Sequence, residues 1–391
     1  MSGQIRSTAA RTRISPRLFW MLPAGLSLLA GLAAGLSMMS LPSPVSGERL
    51  ADVHGMLLVL GFVGTLIALE RATALARWYG YAAPALLGAG GLCLIVDAVP
   101  LPVGQTLLVF GSAALALVYV PLWRRRYDAP ILVQALGAAM ACGAAILWLG
   151  GAEMPRVLPW LFVFVVLTII AERVELASIT MGPHAASVLS IFSWMLVLTV
   201  LIGTAIPDAG AVAMGVVLLA MVGWAVQADI ARRTIRLKGS ARFMAACILG
   251  GYFWLAVAGV VLLFGSPTSR PLYDAAAHAV FLGFTISMIL AHSTTILPAV
   301  LHVALPYNPV FWVAAVALHL SLIVRLWFGD GFDLIHALQF GGALGVIALL
   351  LFVATALGSA VFSKPILAVQ RRRRTAPAAT PNDHDPMTVH T

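Results

Sequence analysis

Charge is what this chain has least of. Asp, Glu, Lys and Arg make up only 10% of its 391 residues, against about 25% in an ordinary globular domain. That scarcity excludes a soluble fold, because there is too little polar side-chain surface to cover one. Cysteine is nearly absent as well. Cys93, Cys142 and Cys247 lack C-x-x-C spacing and sit in apolar stretches, so no disulfide framework is expected and each reads as a small apolar side chain. Long polar segments are missing between the ends; the longest internal loop, near Asp229–Arg242, is short and basic. The acidic residues are few and peripheral. Asp52, Glu70, Asp97, Glu172, Glu175, Asp229, Asp274, Asp330 and Asp333 all fall at or near the ends of apolar stretches. A carboxylate relay through the midplane, as many proton-coupled pumps use, is therefore not expected.

What the chain does have is apolar residues, 61% of the total, in long blocks. Twelve blocks stand out, near 17–41, 51–70, 79–98, 103–123, 130–151, 157–177, 185–206, 209–228, 243–265, 272–296, 307–328 and 334–362. Each is near or above the roughly 20 residues that cross a bilayer as a helix. Unpaired backbone groups are not tolerated in lipid, so helices are the reading of such blocks. The expected fold class is all-α, a polytopic transmembrane helix bundle of twelve helices over residues 17–362. A basic tail at 1–16 and a disordered basic tail at 363–391, with Arg371–Arg374, flank it. The basic N-terminus followed by an apolar block resembles a signal sequence. That block exceeds the usual 7–15 residues, however, and reads as an uncleaved first helix.

The formal charge of +9 is compatible with nucleic-acid binding until its distribution is considered. With twelve spans, only Arg49, Arg156, Arg270 and Arg325, of 24 Lys and Arg, fall outside one set of alternate loops and tails. Such asymmetry marks the cytoplasmic side. Both termini are then expected in the cytoplasm of a bacterial inner membrane, and the partner of the charge is the lipid bilayer, not nucleic acid.

Histidines behave unlike the acids. His54 falls in span two, His278 and His292 in span ten, His319 in span eleven and His336 in span twelve. At about 1.5 Å per residue, His54 and His336 lie within about 5 Å of the outer face, His278 about 9 Å and His319 roughly 13 Å below it. Four histidines on four helices thus share one leaflet. Imidazole is the commonest ligand for haem iron, copper and zinc, and bundle sites draw on facing helices. The plainer alternatives are an interfacial histidine bonded to water or a carbonyl and, for His319, a helix-to-helix hydrogen bond. His292 belongs to the opposite side and packs with Ser293 and Thr294, while His184 and His302 are loop residues and His384 and His390 belong to the tail. Asp274, four residues before His278, shares its helical face and is placed to orient the imidazole. Arg325 is at a level suited to a haem propionate, though snorkelling to the interface also explains it. Spans two and ten each place a histidine ahead of Leu-Gly-Phe (Leu60-Gly61-Phe62 and Leu282-Gly283-Phe284), a match that chance among few residue types also produces.

The stretch Asp52-Val-His54-Gly-Met56-Leu-Leu-Val-Leu-Gly-Phe-Val-Gly resembles the second helix of NnrS proteins. His278-Ala-Val-Phe-Leu-Gly-Phe-Thr-Ile-Ser-Met288 resembles a later helix of that family. The resemblance implies a haem- and copper-containing membrane protein with a fold distantly similar to haem–copper oxidase subunit I. It also implies a link to nitric-oxide stress in denitrification, with respiratory or denitrification membrane proteins as partners. The departures limit it. There is no His-His and no His-x-His pair, so reduction of oxygen or nitric oxide at a binuclear centre is not expected, and the His-Ala-His of a typical member is reduced to His54 alone. The haem ligands expected are His54 and His278, which lie within about 5 Å of each other in depth. Arg49 or Arg325 would meet the propionates, and His319 and His336 remain for copper or for hydrogen bonding. A small-solute or ion transporter and a cofactor-free assembly factor are the alternatives.

Overall fold

The computed structural model describes residues 19–45, 47–301 and 305–362. The tails expected at 1–16 and 363–391, including Arg371–Arg374, and His302, His384 and His390 lie outside the described residues. Among the described residues, eleven helices are long and apolar enough to cross a membrane, and a shorter apolar helix precedes them. They are α1 (Leu22–Met38), α2 (Glu48–Leu75), α3 (Trp78–Ile95), α4 (Leu101–Arg126), α5 (Ala129–Leu149), α6 (Met154–Leu176), α7 (Ala185–Ala205), α8 (Pro207–Ala228), α9 (Ser240–Leu262), α10 (Arg270–Ile296), α11 (Phe311–Asp330) and α12 (Ile335–Ala360). Each expected span falls on one of them. The chain is a polytopic helical bundle built to sit in a lipid bilayer.

Helix ends follow local chemistry more than hydropathy. Pro23, Pro102, Pro130, Pro155, Pro207 and Pro271 each sit in the first turn of a helix, where the missing N–H would have had no partner anyway. Ala76 and Tyr127 close α2 and α4 in the left-handed conformation, and each donates its N–H back to the last turn. Loops are short, so consecutive helices run antiparallel, and the pairs α3–α4, α4–α5, α5–α6 and α11–α12 pack against each other along their lengths.

Burial is graded across the bundle. In α6, 78% of the most apolar window is buried; in α2 and α10 the share is 61%, and in α4 and α12 it is 33%. Helices α2, α6 and α10 therefore form the interior, shielded from lipid by the rest. Apolar side chains gain little from leaving lipid for protein, so close approach of backbones has to hold such a bundle together. At Gly61 of α2 an added Cβ would stand 3.4 Å from Gly91 Cα of α3 and 3.0 Å from Ser27 Oγ of α1. At Gly215 of α8 it would stand 2.6 Å from the carbonyl oxygen of Gly259 in α9.

Among the described residues, three stretches are wound as π-helix: Leu57–Gly64 in α2, Ala279–Thr285 in α10 and Ile323–Asp330 in α11. A π turn holds an extra residue and rotates the side chains beyond it relative to an α-helix; such turns recur at functional sites. The first two cover the two Leu-Gly-Phe repeats. The third contains Arg325.

Candidate functional site

The ionisable residues of the interior gather in two clusters, one at each end of the bundle. The end at which α2, α6 and α10 begin holds the first. His54 lies just ahead of the π segment of α2, and its Nδ1 is 2.8 Å from the carbonyl oxygen of Gly31 on α1. Gly31 and Gly35 form a G-x-x-x-G pair that admits the imidazole; an added Cβ at Gly35 would stand 3.2 Å from His54 Cε1. His278 ends the regular first part of α10, with Nδ1 2.9 Å from the Asp274 carbonyl oxygen and 3.3 Å from Asp274 Oδ1. A carbonyl oxygen only accepts, so Nδ1 carries the proton on both rings and each Nε2 keeps its lone pair. No described hydrogen bond engages either Nε2. Asp274 joins His278 to Arg325, with an oxygen beside each.

Arg325 clasps Asp274 through two bonds of 2.7 Å, from Nε and Nη2. Its Nη1 lies 3.4 Å from Met39 Sδ, and Gln339 of α12 donates to the Met39 carbonyl at 3.0 Å. Close packing fixes this arginine from behind, since an added Cβ on Gly341 would stand 2.6 Å from the Arg325 backbone nitrogen. Arg325 is thus an anchored, half-buried ion-pair member and does not snorkel free. Arg49, the other arginine expected near a propionate, is committed elsewhere. It donates to the carbonyl oxygens of Cys93, Asp97 and Val99 and fastens the end of α3.

The remaining histidines expected in this leaflet do not join. His319 faces α9, where Trp254 Nε1 donates to its Nδ1 at 2.8 Å with the two rings stacked. Indole can only donate, so the Nδ1 lone pair is taken and His319 is satisfied by a helix-to-helix bond. His336 is exposed at the start of α12. His292 lies at the other end, as expected, although its Nδ1 bonds the Met288 carbonyl oxygen and not Ser293 or Thr294.

That other end carries the second cluster, in which four buried or half-buried carboxyl groups meet two buried guanidinium groups. Arg173 of α6 grips Asp229 with two bonds of 2.7 Å. The Tyr252 hydroxyl and the Ala231 N–H donate to the same carboxylate at 3.0 and 2.8 Å. Asp229 lies beyond the end of α8 and is buried. Burial alone would raise its carboxyl, but the bonds and charge of Arg173, with Ala231 and Tyr252, hold it below the usual carboxylate range. Arg71 of α2 meets Glu70, Glu172 at 3.7 Å and Glu175 at 3.5 Å, and donates to Gln134 of α5 at 3.1 Å. Beside them a cavity of about 110 Å³ opens between α2, α6 and α10, lined by Glu70, Glu172, Arg173 and His292 among apolar side chains.

The sequence places the acidic residues near span ends, and Glu70 and Glu172 do lie near the ends of α2 and α6; it does not show that they meet there, both approaching Arg71 Nη2. One signal was available. Spans two and six both end in Ala-Leu-Glu-Arg or Ile-Ala-Glu-Arg, at Glu70-Arg71 and Glu172-Arg173. On a bundle with α2 and α6 inside and parallel, those dipeptides meet.

A family model described as a domain of unknown function, DUF8744, covers residues 17–361, the whole of the twelve-helix body. No curated protein matches the chain.

Proposed function

The chain belongs to the DUF8744 family, a domain of unknown function, and on its own residues we propose that it is a membrane haem protein whose iron is held between His54 and His278. The carrying observation is the posture of the two rings. Each sits on an interior helix near the same end of the bundle, with Nδ1–H anchored on a backbone carbonyl and Nε2 left with its lone pair. Haem-ligating and metal-ligating histidines are held in this way, because the second bond fixes both the tautomer and the ring orientation. Arg325 is the cation placed beside them for a propionate, balanced by Asp274. With His319 engaged by Trp254 and His336 exposed, the proposal is limited to haem and does not extend to copper.

A haem held there would supply one-electron exchange. Held by the imidazoles of His54 and His278, such a haem would be low-spin and closed to nitric oxide. That arrangement suits electron transfer or sensing among respiratory or denitrification membrane proteins better than turnover. The resemblance to NnrS proteins in the two histidine helices supports the same reading. The protein purified in detergent from haem-replete cells is expected to show a Soret band and iron in near-equal amount to protein. A colourless, iron-free preparation would overturn the proposal.

The orientation follows from charge. The end rich in Lys and Arg faces the cytoplasm of a bacterial inner membrane, which puts His54 and His278 toward the periplasm. Reporter fusions after Arg126 and Lys238 are expected to read cytoplasmic, and fusions after Gly151 and Ser269 periplasmic. The opposite pattern would invert the site.

A further inference from the structure

The cavity at the basic end has features that a haem at the opposite end does not use. Its volume of about 110 Å³ is room for several water molecules, since one needs about 10–15 Å³ on this measure. His292, 8% exposed, is among the residues that line it, and its Nε2 is buried without a hydrogen-bond partner. Because Nδ1 must donate to the Met288 carbonyl, Nε2 is a lone pair that requires a donor. Glu70 and Glu172 also line the cavity, and their carboxyl oxygens both approach Arg71 Nη2. Two carboxylates brought to one nitrogen repel each other, and a proton held on one of them removes that repulsion.

Charge balance leads to the same place. From α2 come Glu70 and Arg71; from α6, Glu172, Arg173 and Glu175; from α10, His292. Helix α4 adds the buried Tyr119 hydroxyl and the exposed Arg126, which reaches Glu175 at 3.4 Å, and α5 adds neutral Gln134. Arg173 is neutralised by Asp229, which leaves three glutamates around one buried guanidinium, Arg71. A surplus of buried negative charge is expensive unless a proton or cation offsets it.

We propose that this cavity is a proton-binding site, in which Glu70 and Glu172 hold one proton between them and exchange it with His292 Nε2 through cavity water. The step moves a proton only: a carboxyl O–H breaks, an imidazole N–H forms, and the carboxylate keeps the electron pair. It needs no redox partner, so it stands or falls independently of the haem reading.

Infrared spectroscopy of the full chain in lipid tests it without mutation. The chain has five glutamates, and Glu48 and Glu153 are exposed. Protein carrying glutamate labelled with carbon-13 at the side-chain carboxyl is expected, at neutral pH, to show a protonated carboxyl stretch that moves with the label and shifts in D2O. Asp274 and Asp330 do not carry the label. Glu172→Gln is expected to remove that band, and Glu70→Gln serves if the first variant does not fold. His292→Phe is expected to keep the band but slow its exchange with D2O. A wild-type spectrum with no label-sensitive protonated band would overturn the proposal, as would a band that survives in both folded glutamine variants. Unchanged exchange in folded His292→Phe would overturn the transfer to His292.

Discussion

Arg173→Ala is expected to destabilise the protein by about 3–5 kcal/mol, the range for breaking a buried ion pair from one side. The reason lies less in the lost attraction than in what remains. Asp229, with a side chain 0% exposed, would keep its charge with only the Tyr252 hydroxyl and the Ala231 N–H as donors. Removing both charges, in Arg173→Met with Asp229→Leu, is expected to cost less than Arg173→Ala alone, because no buried charge is then uncompensated. Unfolding in detergent, followed by circular dichroism, measures both. A single variant as stable as wild type would show that the pair is not buried as described.

The same pair has a pH signature. Asp229 is held below its ordinary range in the folded protein, so folding is favoured by its ionisation. Its contribution is complete at neutral pH and begins to fall as pH enters the ordinary aspartate range, near about 4. It is lost once pH passes below the depressed folded value. In wild type, stability is therefore expected to fall with acid through this window, and the double variant should lose that part of the slope.

Much of the fold is legible in the sequence, because lipid imposes a simple demand. A segment that crosses it has to be helical, long and apolar, and each of the twelve blocks meets a helix. Depth is legible for the same reason, since residue count along a helix gives it; His54 and His278 do lie near one end, and His292 does lie near the other. Facing direction is harder to read. The π turns after His54 and His278 and around Arg325 shift the register, so angles counted at 100° per residue do not carry through them. His319 illustrates the limit: its depth suggests a ligand, but its partner is Trp254, 65 residues earlier on another helix. Arg325 and Asp274 are 51 residues apart, and no local pattern announces their pairing. Glu70 and Glu172 look peripheral in sequence because each stands near a helix end. Only the knowledge that α2 and α6 are both interior makes them neighbours.

The second large effect concerns the two imidazoles, and it bears on the central claim. Replacing either histidine by Ala would remove a group that holds the haem, and the other histidines described near this end are not placed to substitute for it. His319 is held by Trp254, and His336 is exposed. Loss of either ligand is thus expected to abolish the low-spin spectrum or the bound haem altogether. His292→Ala, at the far end of α10, is expected to leave both intact.

The deciding measurement is the visible spectrum of purified wild type, His54→Ala, His278→Ala, His292→Ala, His319→Ala and His336→Ala side by side. The expected result is a low-spin haem spectrum in wild type and in the last three variants, and its loss in both His54→Ala and His278→Ala. The contradicting result is a wild-type spectrum in the folded His54 and His278 variants together with its loss in His319→Ala or His336→Ala.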